Sequence, residues 1–139
     1  MSQFALPKRY DDKIAKDGVW VEVYDELDQH WGNYKVGLFN LTAKHVRDEL
    51  DKWNRNNKAN RTKSDNAITA AFVEIALVEW EKVNLGPDGA EIPFSKKAAL
   101  ELLTDEGASF LVEKLLTAAG DVRNFAGNPE AEQEEDAKN

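Results

Sequence analysis

Residues 64–83 read Ser64-Asp65-Asn66-Ala67-Ile68-Thr69-Ala70-Ala71-Phe72-Val73-Glu74-Ile75-Ala76-Leu77-Val78-Glu79-Trp80-Glu81-Lys82-Val83, and the reading of this stretch decides the fold. Ser64 or Asp65 offers an oxygen to the first free backbone N–H groups of a helix. Ile68, Phe72, Ile75 and Val78 recur at helical spacing, with Val73, Leu77 and Trp80 on a neighbouring face. After Asn66 only Thr69, Glu74, Glu79 and Glu81 break the apolar surface. The spacing predicts one helix over 65–82. A helix apolar nearly all round is buried, in a core or in an interface between subunits. Ile68, Phe72, Ile75 and Trp80 are therefore candidates for core or partner-facing positions.

On the N-terminal side, Thr42 is placed as an N-cap, and Leu41 and Val46 have the spacing of a hydrophobic staple. Ala43, Val46, Leu50 and Trp53 continue a helix over about 42–57, which frays in the Asn-rich run 54–60. Before it, Val19, Val21 and Val23 alternate with Trp20, Glu22 and Tyr24. A polar stretch, 25–33, and a second β-rich run, 34–39, complete a hairpin over 19–39. Such a hairpin is marginal alone in water, so it packs on the helices or pairs with another chain. Residues 1–18 show mixed charge without periodicity and read as an irregular arm, anchored by Tyr10 and Ile14.

On the C-terminal side, Pro87-Asp88-Gly89 marks a turn, with Val83 and Ile92 as short flanking strands. Ser95 caps a helix over 95–103. Thr104 caps a last helix, 105–125, carrying Leu111, Leu115, Ala118, Val122 and Phe125, with Gly120 as its weak point. From Gly127 on, Glu130, Glu132, Glu134, Glu135 and Asp136 against Lys138 read as a disordered acidic tail, 127–139. The expected architecture is mainly α. It is one domain, 19–126, of about four helices with an N-terminal β-hairpin and a C-terminal tail.

The 139 residues hold 18 Lys and Arg against 26 Asp and Glu, a net charge of −8, which argues against nucleic acid as a partner. No apolar run reaches the 18 or so residues of a membrane span, and the first residues lack a secretory signal. The absence of cysteine excludes disulfides, thiolate zinc sites and cysteine nucleophiles, and it suits a reducing cytoplasm. The two histidines, His30 and His45, stand in no catalytic or metal-binding pattern. Asp25, Glu26 and Asp28 read as a polar turn. Gly86-Pro87-Asp88-Gly89 lacks the Lys-Ser/Thr of a phosphate loop. The sequence therefore predicts no catalytic residue, no cofactor and no metal.

One charge feature is local. Residues 44–63 hold seven basic residues, among them Arg47, Arg55, Lys58 and Arg61, against Asp48, Glu49 and Asp51. This is either a basic patch that receives an acidic partner, a second copy included, or a solvated helix end whose cations suit the helix dipole. Of the four tryptophans, Trp53 and Trp80 fit core faces, and Trp31, in a turn, is the expected exposed contact.

The run from Val78-Glu79-Trp80 through Gly86-Pro87-Asp88-Gly89-Ala90-Glu91-Ile92-Pro93-Phe94-Ser95 to Leu102-Leu103-Thr104-Asp105, then a final helix with Asn124-Phe125 and a polar end, resembles the tail assembly chaperones of long-tailed bacteriophages. The resemblance covers roughly 65–130, with a looser fit over 19–63. It implies a small, mostly helical, non-enzymatic protein that binds the tape measure protein and promotes tail-tube assembly. It also implies contact with the tail-tube protein through a frameshifted longer form, and self-association. Nucleic acid and membrane are not implied partners. The implied location is the host bacterial cytoplasm during assembly, with the protein missing from the mature virion. The alternatives are another tail morphogenesis protein, a completion or connector subunit, and an acidic regulator that mimics DNA.

Overall fold

The computed structural model describes residues 3–60, 63 and 65–127. Its elements in chain order are α1 (Asp12–Asp17), β1 (Val19–Tyr24), β2 (His30–Val36), α2 (Lys44–Asn56), α3 (Ala67–Ile75), β3 (Leu77–Glu81), α4 (Lys96–Leu103) and α5 (Ser109–Gly120). Short 3-10 turns lie at Pro87–Gly89, Glu106–Ala108 and Val122–Phe125. The strands form one antiparallel sheet in the order β1-β2-β3. The fold is α+β, which corrects the expectation of a mainly α domain.

The correction lies in the deciding stretch. Residues 65–82 do not form one helix: α3 stops at Ile75, and β3 pairs with β2 from Leu77 on. Asn33 faces Glu81, Tyr34 faces Trp80 and Lys35 faces Glu79, but Val36 faces Leu77, so Val78 is an extra residue in β3. The resulting β-bulge turns both Leu77 and Trp80 inward, three positions apart. Three is also a helical spacing, so one bulge gives a strand the signature of a helix. Lys96 holds the switch between α3 and β3. Its Nζ donates to the carbonyls of Val73 at 2.6 Å and Leu77 at 2.7 Å, and more weakly to Glu74 at 3.3 Å. Burial lowers the Lys96 pKa, against the opposing pull of Glu74.

The hairpin is β1 and β2, joined through Asp25. The Asp25 carboxylate accepts from the backbone N–H groups of Leu27 and Gln29 and from the indole of Trp31 at 3.0 Å. The Trp31 hydrogen bond, with those two amides, holds the Asp25 pKa below its ordinary value. Trp31 is not the exposed contact expected of it. It is the extra residue of a bulge in β2, and it packs edge-on against Phe110 of α5 at 4.5 Å.

Directly opposed residues of an antiparallel sheet share a face. The inner face carries Val19, Val21, Val23, Tyr34, Val36, Leu77 and Trp80, and α5 lies against β1 and β2. Together with Phe39, Phe72, Val83, Leu111 and Leu115 these residues make the core. Tyr34 is fully buried; its hydroxyl donates to the Trp31 carbonyl at 2.7 Å and its ring meets Trp80 edge-on.

Residues 12–17, expected in an irregular arm, are a helix. Asp11 caps it, accepting from the amides of Lys13 and Ile14, and Gly18 ends it at φ 92°. The segment is tied to distant parts of the chain: the Asp11 amide donates to the Phe125 carbonyl and the Leu38 amide to the Ala15 carbonyl. Gly37 permits this approach, since a Cβ there would lie 2.6 Å from the Ala15 carbonyl oxygen.

Three expected caps are placed differently. Ala43, not Thr42, precedes α2, and Thr42 hydrogen-bonds Asn40 instead. Asp105, not Thr104, caps the turn that leads into α5. Asn66 precedes α3 without a side-chain cap, and Ser64 lies outside the described residues. The predicted helix over 105–125 is α5 flanked by two 3-10 turns. Val83 and Ile92 share one backbone hydrogen bond and no strand. The acidic tail past Gly127 lies outside the described residues.

Candidate functional site

The four apolar candidates of the deciding stretch separate. Phe72 is fully buried, edge-on to Phe39 at 5.6 Å. Trp80 is 5% exposed, with its indole donating to the Ile92 carbonyl at 2.7 Å and its ring against Phe94. Ile75 is half-buried against the core. Ile68 alone is exposed, at 43%.

Ile68 stands at the lip of a groove of about 390 Å³. The walls come from four separate parts of the chain. Tyr10 leads into α1, Leu38, Phe39 and Leu41 follow β2, Ile68 begins α3, and Leu116 with Val122 closes the end of α5. Leu41 is 46% exposed, so two large aliphatic side chains lie open to solvent at one mouth. Arg9 is the charged residue of the lining. A groove of mixed lining that offers several aliphatic side chains and one cation suits an amphipathic helix, whose carboxylates or C-terminal carbonyls are the complement of a guanidinium. Sequence reasoning found Ile68 and missed the rest, because no single segment carries the pattern.

The basic candidates Arg47, Arg55 and Lys58 are exposed on α2 and just beyond it, whereas Arg61 lies outside the described residues. The positive patch is mixed rather than pure. Lys44 bonds Asp48 at 2.7 Å, and that bond, together with Arg47 and Arg55, lowers the Asp48 pKa. The groove and the basic patch are not brought together as one site, since the groove is lined by no α2 residue.

Among the described residues no group of three or more His, Asp or Glu is placed to hold a metal ion. Among the described residues no helix is long and apolar enough to cross a membrane.

A family model described as YdaY prophage protein matches residues 35–139. The chain belongs to that family. The YdaY match starts within β2, so it takes in α2 to α5, β3 and most of the groove, and leaves out α1 and β1. No curated protein and no solved structure matches the chain. The resemblance to tail assembly chaperones thus holds at the level of a prophage protein; the family description names no role in tail assembly.

Proposed function

We propose that this YdaY-family chain is a non-enzymatic assembly chaperone of a prophage tail, and that its groove receives an apolar helix of the tape measure protein. The observation that carries the reading is the open groove with the aliphatic side chains of Ile68 and Leu41 exposed at its mouth. Exposed aliphatic side chains grouped in a concavity mark a partner site more often than scattered ones do. Membership of a prophage family and the sequence resemblance support the same role. The partners are then the tape measure protein, the tail-tube protein through a longer form, and further copies of the chain. The work is done in the host cytoplasm, and the protein leaves before the virion matures.

Co-expression with helical segments of the tape measure protein from the same prophage tests the reading. The wild-type chain keeps such segments soluble and co-purifies with them. Ile68→Asp combined with Leu41→Asp, at two exposed positions, leaves the fold intact and weakens capture by about tenfold or more. Equal capture by the variant, or none by the wild type, overturns the proposal. Mass spectrometry of purified virions adds a second readout: a chain retained in the particle is a structural subunit instead.

A further inference from the structure

The sheet has a second face that the core does not use. Its cross-strand rows are Trp20 with Lys35 and Glu79, Glu22 with Asn33 and Glu81, and Tyr24 with His30. Trp20 and Tyr24 are 46% and 49% exposed, and Glu22, Glu79 and Glu81 are exposed as well. The polar groups between them are already ordered. Asn33 donates to Glu81 at 3.2 Å and lies 2.8 Å from the His30 ring nitrogen, and Tyr24 stacks on His30 at 4.8 Å. Three carboxylates against the single cation of Lys35, set between two exposed aromatic rings, form a surface that favours guanidinium and ammonium groups.

The same chain carries a matching surface elsewhere. α2 leans on α3 through its buried Val46, and its opposite side presents Arg47, Lys52 and Arg55, with Lys58 just beyond. Asp48 and Asp51 share that side, but Asp48 is occupied by Lys44, which leaves a cationic excess. The dimensions agree: a helix of 13 residues is about 20 Å long, and a six-residue strand such as β1 spans about 20 Å.

We infer that the outer sheet face of one copy accepts α2 of a second copy, with Arg47 and Arg55 meeting Glu22 and Glu79 beside Trp20. This deepens the self-association within the proposed function and rests on it, while the groove takes no part. The two surfaces differ, so the contact is head-to-tail and repeats into a ring or an open series. Charge pairs at such a rim dominate the salt dependence, and the aromatic rings supply the buried area.

Sedimentation velocity on the full chain from about 1 to about 300 µM, a span of some 3 kcal/mol in association free energy, tests the inference. The wild type sediments faster as concentration rises, and much less so in about 0.5 M salt. Glu22→Lys with Glu79→Lys, and separately Arg47→Glu with Arg55→Glu, each weaken association by about tenfold or more, with thermal unfolding confirming that both fold. Mixing the two variants restores association, because the unaltered α2 of one meets the unaltered sheet face of the other and the two reversed surfaces again match in sign. Trp20→Ala, which changes no charge, weakens association as well. A wild type that stays monomeric over the whole range, reversals that associate like wild type, or a mixture that fails to pair each overturns the inference. Capture of tape measure segments is scored separately through the Ile68 and Leu41 groove, so loss of one property is distinguished from loss of the other.

Discussion

Tyr34 condenses the packing problem of this fold into one side chain. Among the described residues it is the largest fully buried one, and its hydroxyl is satisfied by a single backbone carbonyl, that of Trp31. Burial disfavours the phenolate and raises the Tyr34 pKa above its ordinary value of 10.0. The unfolded chain then loses this proton first as pH rises, so the group's contribution to stability is complete below pH 10 and declines above it. Urea midpoints measured from pH 8 upward fall more steeply beyond the ordinary tyrosine pKa for the wild type than for Tyr34→Phe. At neutral pH the same substitution costs about 0.5–1.5 kcal/mol, the worth of the lost hydrogen bond. At this scale the sequence is only partly legible. Alternation in Val19-Trp20-Val21-Glu22-Val23-Tyr24 places Trp20 and Tyr24 opposite the valines, and they are exposed. Trp31 lies in a polar run that gives no sign of the bulge, the Asp25 bond or the Phe110 contact that partly bury it.

Elements with one unbroken period are readable, and elements that change period are not. The alternating valines mark β1, and Ser95 with the apolar residues after it marks α4, whose Ala98 amide bonds the Ser95 hydroxyl at 3.0 Å. α1 has six residues, too few for a helical period to show; its signals are the Asp11 cap and the closing Gly18. Residues 65–82 mislead for the opposite reason. Two elements, each with its own period, lie end to end, and the Val78 bulge replaces the strand period with a helical one at the join. What fixes the break is long-range. Lys96 withdraws the carbonyls of Val73 and Leu77 from any continuing helix and bonds them itself. Lys96→Met, which keeps the aliphatic stem, lowers stability by about 1–3 kcal/mol in denaturant titrations. Hydrogen exchange speeds up first at the end of α3 and the start of β3.

At the level of the molecule, the groove and the sheet's outer face share no lining residue. Substitutions at separate sites without common partners act independently. The Ile68→Asp/Leu41→Asp variant therefore keeps the concentration dependence of its sedimentation. The Glu22→Lys/Glu79→Lys variant keeps its capture of apolar helices. Loss of both properties in either variant, measured side by side, contradicts two separate surfaces. Neither site is visible as a motif. The groove gathers residues from positions 9 to 122, and the outer face needs both registers of the sheet, including a β3 that reads as helix. Net charge is legible as a sum of −8, but where the charges lie is set by the strand pairing.

The seat of α1 has a consequence for synthesis on the ribosome. Its backbone is held on one side by Leu38 and on the other by Phe125, almost the whole described chain away. Translation delivers Asp11 more than a hundred residues before Phe125. The anchor at Leu38 exists early, whereas the one at Phe125 exists only late in translation, just after α5. The earliest helix to be made thus gains one of its two backbone anchors from almost the last described residues. Until then the groove that Tyr10 lines together with Leu116 and Val122 is incomplete on every nascent chain.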